Sequence, residues 1–329
     1  RDLDVSDGTV SVLIALTIPG CPLKNQINSD VTEAAMSVEG VTSVEVSFTS
    51  MTDEERAALS ADLRGGGSEA REIAFAAPGN KTRVVGIASG KGGVGKSSVT
   101  ANLGVALAQQ GLRVGIIDAD VWGFSIPKMM GVDRAPTGLD DMLLPPEAHG
   151  VHVISMDFFV QPDQAVVWRG PMLHKALEQF LVDVHWGDLD YLLIDMPPGT
   201  GDVAISISQY LPRSEILVVT TPQATAQRVA VRAGLMAKKV DQDIIGVVEN
   251  MSWFTGDDDK RYFLFGAGGG AELAKTLDVE MIGQVPMTIP MREGSDQGQP
   301  VMAVDPTNEA SLAVSYTHLT LPTNTVTCR

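Results

Sequence analysis

Short runs of apolar, mostly β-branched residues recur through the second part of the chain, at 84–88, 114–117, 151–154, 191–194, 216–219 and 244–248, with helical spacing between them. Each run is brief and apolar on both sides, the pattern of a strand covered on two faces. Between the first two, Val99, Leu103 and Leu107 fall at i, i+4 and i+8 on one helix face, and Gly111 is the expected stop. The alternation predicts an α/β fold: a doubly wound, mostly parallel sheet with helices on both faces, which binds ligands at the carboxyl ends of its strands.

The beginning of the chain reads differently. Residues 9–18 form a strand pattern, Pro19-Gly20-Cys21-Pro22 breaks it, 27–37 suit a helix, and 41–48 alternate like a second strand. This predicts a small α+β domain over residues 1–62. Residues 63–82 are rich in Gly, Ala and Pro, as a linker is, and 83–314 carry the α/β pattern. Residues 315–329 are Thr-rich and acid-free, and are expected to be a non-native tail. The chain opens on Arg1-Asp2-Leu3-Asp4 rather than on Met, so the expected true start lies upstream.

Charge narrows the partners. In 329 residues, 24 Lys and Arg face 41 Asp and Glu, a net charge of -17. Phosphate backbones and anionic lipid surfaces repel such a chain, so neither nucleic acid nor a membrane is an expected partner. The two cysteines, Cys21 and Cys328, make no disulfide framework and fit a reducing cytoplasm.

The chemistry concentrates in Gly90-Lys91-Gly92-Gly93-Val94-Gly95-Lys96-Ser97, between a predicted strand and a predicted helix. That context defines a P-loop. Its glycines let successive backbone N–H groups approach phosphate oxygens, and the helix N-terminus adds positive potential. Residues 90–98, Ser98 included, are therefore the expected binding segment for ATP with Mg²⁺. Lys96 reaches the β- and γ-phosphates and Ser97 ligates the metal. A generic P-loop has no need of Lys91. Strand 114–117 ends at Asp118-Ala119-Asp120, and strand 191–194 ends at Asp195, followed by Met196-Pro197-Pro198-Gly199-Thr200-Gly201-Asp202. Ser97, Asp118 and Asp195 are the expected Mg²⁺ group. Asp118 and Asp120 are candidates to orient the attacking water, with a turn cap the other role open to one of them. Gly199 could approach the γ-phosphate through its backbone, and Asn250 is placed to contact a base edge. Met129, Met130 and Met142 read as packing residues, and the acids at 257–259 as a solvated turn.

Together, GKGGVGKS, DADVWGFSIP, IDMPPGTGD, TTPQ, VENMSWF, FGAGGG and VPMTIPMREGSDQGQPV resemble the Mrp-type iron–sulfur cluster carrier ATPases, in the deviant-Walker P-loop group with MinD-type and ParA-type ATPases. The first segment, with TIPGCP, resembles the MIP18-type domain that often precedes such an ATPase. The likeness spans nearly all of residues 1–314. It implies a homodimer in which Lys91 reaches the partner's nucleotide. It also implies a catalytic Asp120, a strand-end Asp195, an adenine contact at Asn250, slow ATP hydrolysis, and transfer of a 4Fe-4S cluster to apoproteins. One departure stands out. The resemblance implies a Cys-x-x-Cys pair after the NMS motif, where this chain has Trp253-Phe254-Thr255-Gly256-Asp257-Asp258-Asp259-Lys260. Cluster ligands are usually thiolates, which leaves Cys21, either a ligand or a small buried residue before a turn. A cluster-free MinD/ParA-type switch, or a P-loop enzyme acting on a small metabolite, are the alternatives.

Overall fold

The computed structural model describes residues 2–6, 8–16, 24–52, 54–56, 58–59, 73–160 and 170–319. Contacts divide the chain into two units, residues 1–70 with 138–142, and residues 71–137 with 143–329. Cys21 and the segment 161–169 lie outside the described residues.

In the first unit, β1 (Asp2–Ser6) runs antiparallel to β2 (Thr9–Leu16), and β2 runs parallel to β3 (Ser43–Ser50). Helix α1 (Lys24–Met36) lies between β2 and β3 in sequence and packs on β3. The strand β1 has no counterpart in the hydrophobic pattern. All five of its residues are exposed and two are acidic, so only the backbone ladder to β2 holds it.

The second unit is built on a nine-stranded sheet. Its path runs β13 (Arg261–Tyr262), β12 (Asp243–Thr255), β11 (Glu215–Thr220), β4 (Arg83–Ser89), β10 (Tyr191–Asp195), β5 (Val114–Asp118), β9 (Val151–Ser155) and β8 (Glu147–Ala148), with β14 (Met281–Met287) also paired to β12. All pairings are parallel except those of the two end strands, β13 and β8. Two short strands outside this sheet, β6 (Thr137–Leu139) and β7 (Met142–Leu144), pair with each other. The central strands are apolar because both faces are covered: Val85, Ile87, Ile116, Leu193, Leu217 and Val219 are wholly buried.

Helix α2 (Lys96–Ala108) follows β4. The sequence pattern placed one face of it in the core. In the structure Ala101, Val105 and Ala106 are buried as fully as Val99, Leu103 and Leu107. The reason is its second cover: the last two helices, Val301–Val304 and Glu309–Leu319, close over the side facing away from the sheet. Asn102 accepts the Met302 N–H at 3.0 Å and Gln109 donates to the Met302 carbonyl at 2.9 Å. The helix stops as expected. Gly111 is left-handed at φ 79°, donates to Ala108, and is followed by a Leu112 N–H bond back to Leu107, the hydrogen bonds of a Schellman ending.

Two boundaries move. The run at 244–248 continues as strand to Thr255, through Glu249, Asn250 and a left-handed Met251 (φ 57°). At the far end, helix Glu309–Leu319 runs through position 314 without a break, and Thr317 is buried with its hydroxyl donating to Ala313. Met130 and Met142 are core residues, as the pattern implied.

Candidate functional site

The central β4 ends in the P-loop, and its neighbour β10 ends in Asp195. Because β10 pairs with β4 on one side and β5 on the other, Asp195 stands level with Ile87 and with Asp118. Register alone therefore brings two strand-end carboxylates to the foot of the loop.

Backbone geometry shapes the loop. Gly93 and Gly95 are left-handed, at φ 77° and 76°, which any side chain would resist. Gly90 is required for a different reason: a Cβ there would collide with the backbone of Val229 and Ala230 in helix α6 (Ala224–Lys239). The buried Val94 anchors the loop, and Asn250 donates its amide to the Val94 carbonyl at 2.8 Å. The Asn250 side chain is buried beside Gly95, with one of its two amide N–H donors used on the loop.

Lys96 is buried and lies 2.7 Å from Asp195 and 3.6 Å from Asp120. Ser97 donates to the same Asp195 oxygen at 2.6 Å. The other Asp195 oxygen accepts the Thr100 hydroxyl at 2.8 Å. Thr100, wholly buried one turn into α2, was not legible as a site residue. It sits in an apolar run and belongs to no phosphate motif, and only the fold brings it to Asp195.

The two acids of the Asp-Ala-Asp run separate into different jobs. Asp118 was grouped with the Mg²⁺ residues, but the structure does not bring it to the pocket. It is wholly buried, and its oxygens accept the N–H groups of Asp120, Ser125 and Ile126 and the Ser155 hydroxyl, at 3.0–3.3 Å. It thus pins the segment 120–126. Burial, then the charge of Asp195, push its carboxyl up to about 7, against the lowering effect of those N–H donors and of Lys96. Asp120 does line the pocket. Its carboxyl is also raised, mainly by burial, with Lys96 opposing, and its Oδ1 is buried with no hydrogen-bond partner.

The loop, Asp120, Ser125, Met129 and Pro198 enclose an open pocket of about 370 Å³. Ser98 faces it and donates to the Met129 sulfur at 3.9 Å, so Met129 is both a packing residue and part of the wall. Trp122 is on the rim, 70% exposed; its place two positions after Asp120 was its only sequence signal. Gly199 donates its N–H to the Ser89 carbonyl at 2.8 Å, so in this conformation it does not face the pocket as a donor. Lys91 lines the pocket but its ammonium donates to Gln223 at 3.2 Å.

The donor set fits a nucleotide with Mg²⁺. A glycine cradle at a helix N-terminus suits phosphates. The Ser97 hydroxyl on Asp195, with an orphaned buried oxygen of Asp120 at the pocket wall, suits a hard divalent cation.

The acids at 257–259 form the exposed turn expected of them, and the residues on either side make it the tip of a braced hairpin between β12 and β13. Glu309 accepts from the Trp253 indole and the Thr255 hydroxyl, both at 2.8 Å, and Arg261 lies 4.2 Å over the Trp253 ring. No group of three or more His, Cys, Asp or Glu that could hold a metal ion occurs among the described residues.

Comparison with known proteins places this arrangement. The model of the NUBPL iron-transfer P-loop NTPases matches residues 80–320, most of the chain. The chain belongs to that family. A second family, described as iron-sulfur cluster assembly protein, matches residues 1–48. An iron-sulfur cluster carrier protein of Mycobacterium tuberculosis (strain ATCC 25618 / H37Rv) is 52% identical over 308 residues, covering 91% of this chain and 80% of its own. One from Synechocystis is 40% identical over 324 residues, covering 96% and 87%. Among solved structures, a nucleotide-binding protein of Archaeoglobus fulgidus in complex with ADP is 35% identical with a TM-score of 0.59, covering 69% of this chain and 93% of that one. The septum site-determining protein MinD of Pyrococcus horikoshii, complexed with Mg-ADP, is 25% identical with a TM-score of 0.54, covering 72% and 94%. For this NUBPL-type NTPase, the fold expected from the strand pattern and the family expected from the motifs both hold. No described helix is long and apolar enough to cross a membrane.

Proposed function

We propose that this protein is an ATP-hydrolysing iron–sulfur cluster carrier that works as a homodimer in the cytoplasm and hands clusters to apoproteins. The observation that carries the reading is the family match across both units, with relatives named as cluster carriers over nearly the whole chain. It favours a carrier over a MinD-type positioning switch, whose likeness covers 72% of the chain at 25% identity.

The chain's own groups supply the hydrolysis chemistry. Phosphates settle on the N–H groups of residues 90–97, and Lys96 exchanges its carboxylate partners for phosphate oxygens. Asp120, with one free oxygen at the pocket wall, orients the attacking water. Asp195 holds Ser97, and Lys96 until phosphate takes it, and Thr100 holds Asp195. When bound, Mg²⁺ would sit on Ser97 with Asp120 and Asp195 behind it, neutralising phosphate charge. Lys91 completes the site of a second copy.

The cluster is cargo, and the 253–262 hairpin carries no thiol to hold it. Cys21 is the one thiol of the chain outside the 315–329 stretch, and a dimer would bring two of the four ligands that such a cluster takes. The remaining ligands come from another molecule, so the cluster is held loosely and passed on readily. Lys96→Ala and Lys91→Ala variants test the ATPase half. Lys96→Ala should abolish turnover, and Lys91→Ala should abolish turnover while retaining nucleotide binding. Full turnover in the Lys91→Ala variant would rule out its part in hydrolysis.

A further inference from the structure

The two lysines of the loop are held by opposite chemistries. Lys96 is buried in an ion pair with Asp195. Lys91 is half-buried, has no carboxylate partner among the described residues, and rests on the neutral amide oxygen of Gln223 at 3.2 Å. The surroundings make that rest a fixed one. Gln223 is the N-cap residue of α6, yet its side chain makes no capping bond and is directed to Lys91 instead. Its backbone carbonyl accepts from Ala226 and Gln227, which fixes the residue at the helix start. Pro222 before it packs on Gly269 so closely that a Cβ there would strike the Pro222 carbonyl. The same helix presses on the loop at Gly90 through Val229 and Ala230. Loop and helix are therefore packed directly on each other, and that packing sets the distance between Lys91 and Gln223.

We infer that Gln223 is the positioning residue of Lys91, a neutral dock that keeps its ammonium at the pocket wall and gives it up to a phosphate during hydrolysis. The physical reason lies in the strength of the bond. A hydrogen bond from an ammonium to an amide is weaker than one to a carboxylate or phosphate. A phosphate can therefore take Lys91 from Gln223, whereas a carboxylate at 223 would compete for it. A glutamine orders the lysine without trapping it. This inference rests on the proposed role of Lys91 in hydrolysis.

The test uses the full chain with Gln223→Glu, Gln223→Met and, as reference, Lys91→Ala. Two properties are read: steady-state ATP turnover at several salt concentrations, and the rate at which an amine-reactive reagent labels Lys91 in nucleotide-free protein, followed by mass spectrometry. With Gln223→Glu, kcat should fall by about threefold to tenfold at low salt, with KM nearly unchanged. The deficit relative to the parent protein should shrink as salt screens the pair, and Lys91 should label more slowly. With Gln223→Met, which keeps the length and loses the acceptor, Lys91 should label several-fold faster. Parent-like labelling in both variants overturns the dock, as does an equal, salt-independent loss of turnover in both. Retained turnover in Lys91→Ala would instead sink the role of Lys91 in hydrolysis, while the labelling still decides whether Gln223 holds it.

Discussion

Replacing Thr100 by valine removes one hydroxyl and almost no volume, so its effect isolates that hydroxyl, which lies 2.8 Å from the Asp195 carboxylate and 3.0 Å from the Lys96 carbonyl. Thr100 is wholly buried and donates at 2.8 Å to Asp195, itself wholly buried. The Asp195 oxygen it serves has no other described donor, while the second oxygen takes both Lys96 and Ser97. Leaving a buried, charged acceptor without its donor costs about 1–3 kcal/mol. For a domain of this size that corresponds to a fall in Tm of roughly 2–4 °C per kcal/mol. The functional cost is separate. An Asp195 free to turn no longer fixes Lys96 and Ser97, and kcat should fall by about tenfold, since small misplacements of positioned groups are costly. Thermal melts and steady-state turnover of Thr100→Val, set against Thr100→Ser, give the answer. Serine keeps the donor and loses a buried methyl, so it should cost about 1 kcal/mol in stability and leave turnover near that of the parent. Turnover in the valine variant equal to that in the serine variant would refute the argument that Thr100 acts through Asp195.

Three further expectations follow from the same geometry. Gly90→Ala forces a methyl into the backbone of helix α6, so it should destabilise the second unit by about 1–3 kcal/mol in urea melts and weaken ATP binding. Asp118 has a folded-state carboxyl raised to about 7 from an unfolded value of 3.8. The native state therefore binds the extra proton, and this group's contribution to stability declines as pH rises from 4 to 7, at most about 1.4 kcal/mol per pH unit; Asp118→Asn, which imitates the neutral form, should show a shallower decline in urea melts, and parallel profiles would contradict this. Glu309→Gln should loosen the 253–262 hairpin without touching the nucleotide pocket, seen as faster amide exchange at Trp253–Thr255 with ATP affinity unchanged.

What the sequence made legible follows a physical line. The central strands β4, β5, β10 and β11 declared themselves because burial on both faces leaves no polar position to blur the run. The P-loop was readable because phosphate binding is done by backbone, and only glycines free the backbone for it. The elements missed are those that depend on partners distant in sequence. The strand β1 is exposed throughout and exists only through its ladder to β2. The continuation of β12 past Val248 carries Glu249 and Asn250, polar residues that local pattern assigns to a loop; here Glu249 is buried because its carboxylate accepts the Gly270 N–H and the Gln284 amide. Asp118 and Asp120, two positions apart, look equivalent in sequence. In the structure one faces the sheet and the segment 120–126, and the other faces the pocket. The place of Asn250 at a strand end was legible, while its bond to the Val94 carbonyl of the P-loop depends on the fold.

The central claim is that a P-loop ATPase without the paired cysteines still carries clusters. Its most direct test is anaerobic reconstitution of the intact chain with iron and sulfide, followed by incubation with an apoprotein and ATP. The account predicts visible-region cluster absorbance that is readily lost to a chelator, and activation of the apoprotein that fails in the Lys96→Ala variant. Absence of any cluster absorbance, with an apoprotein that stays inactive, would contradict it.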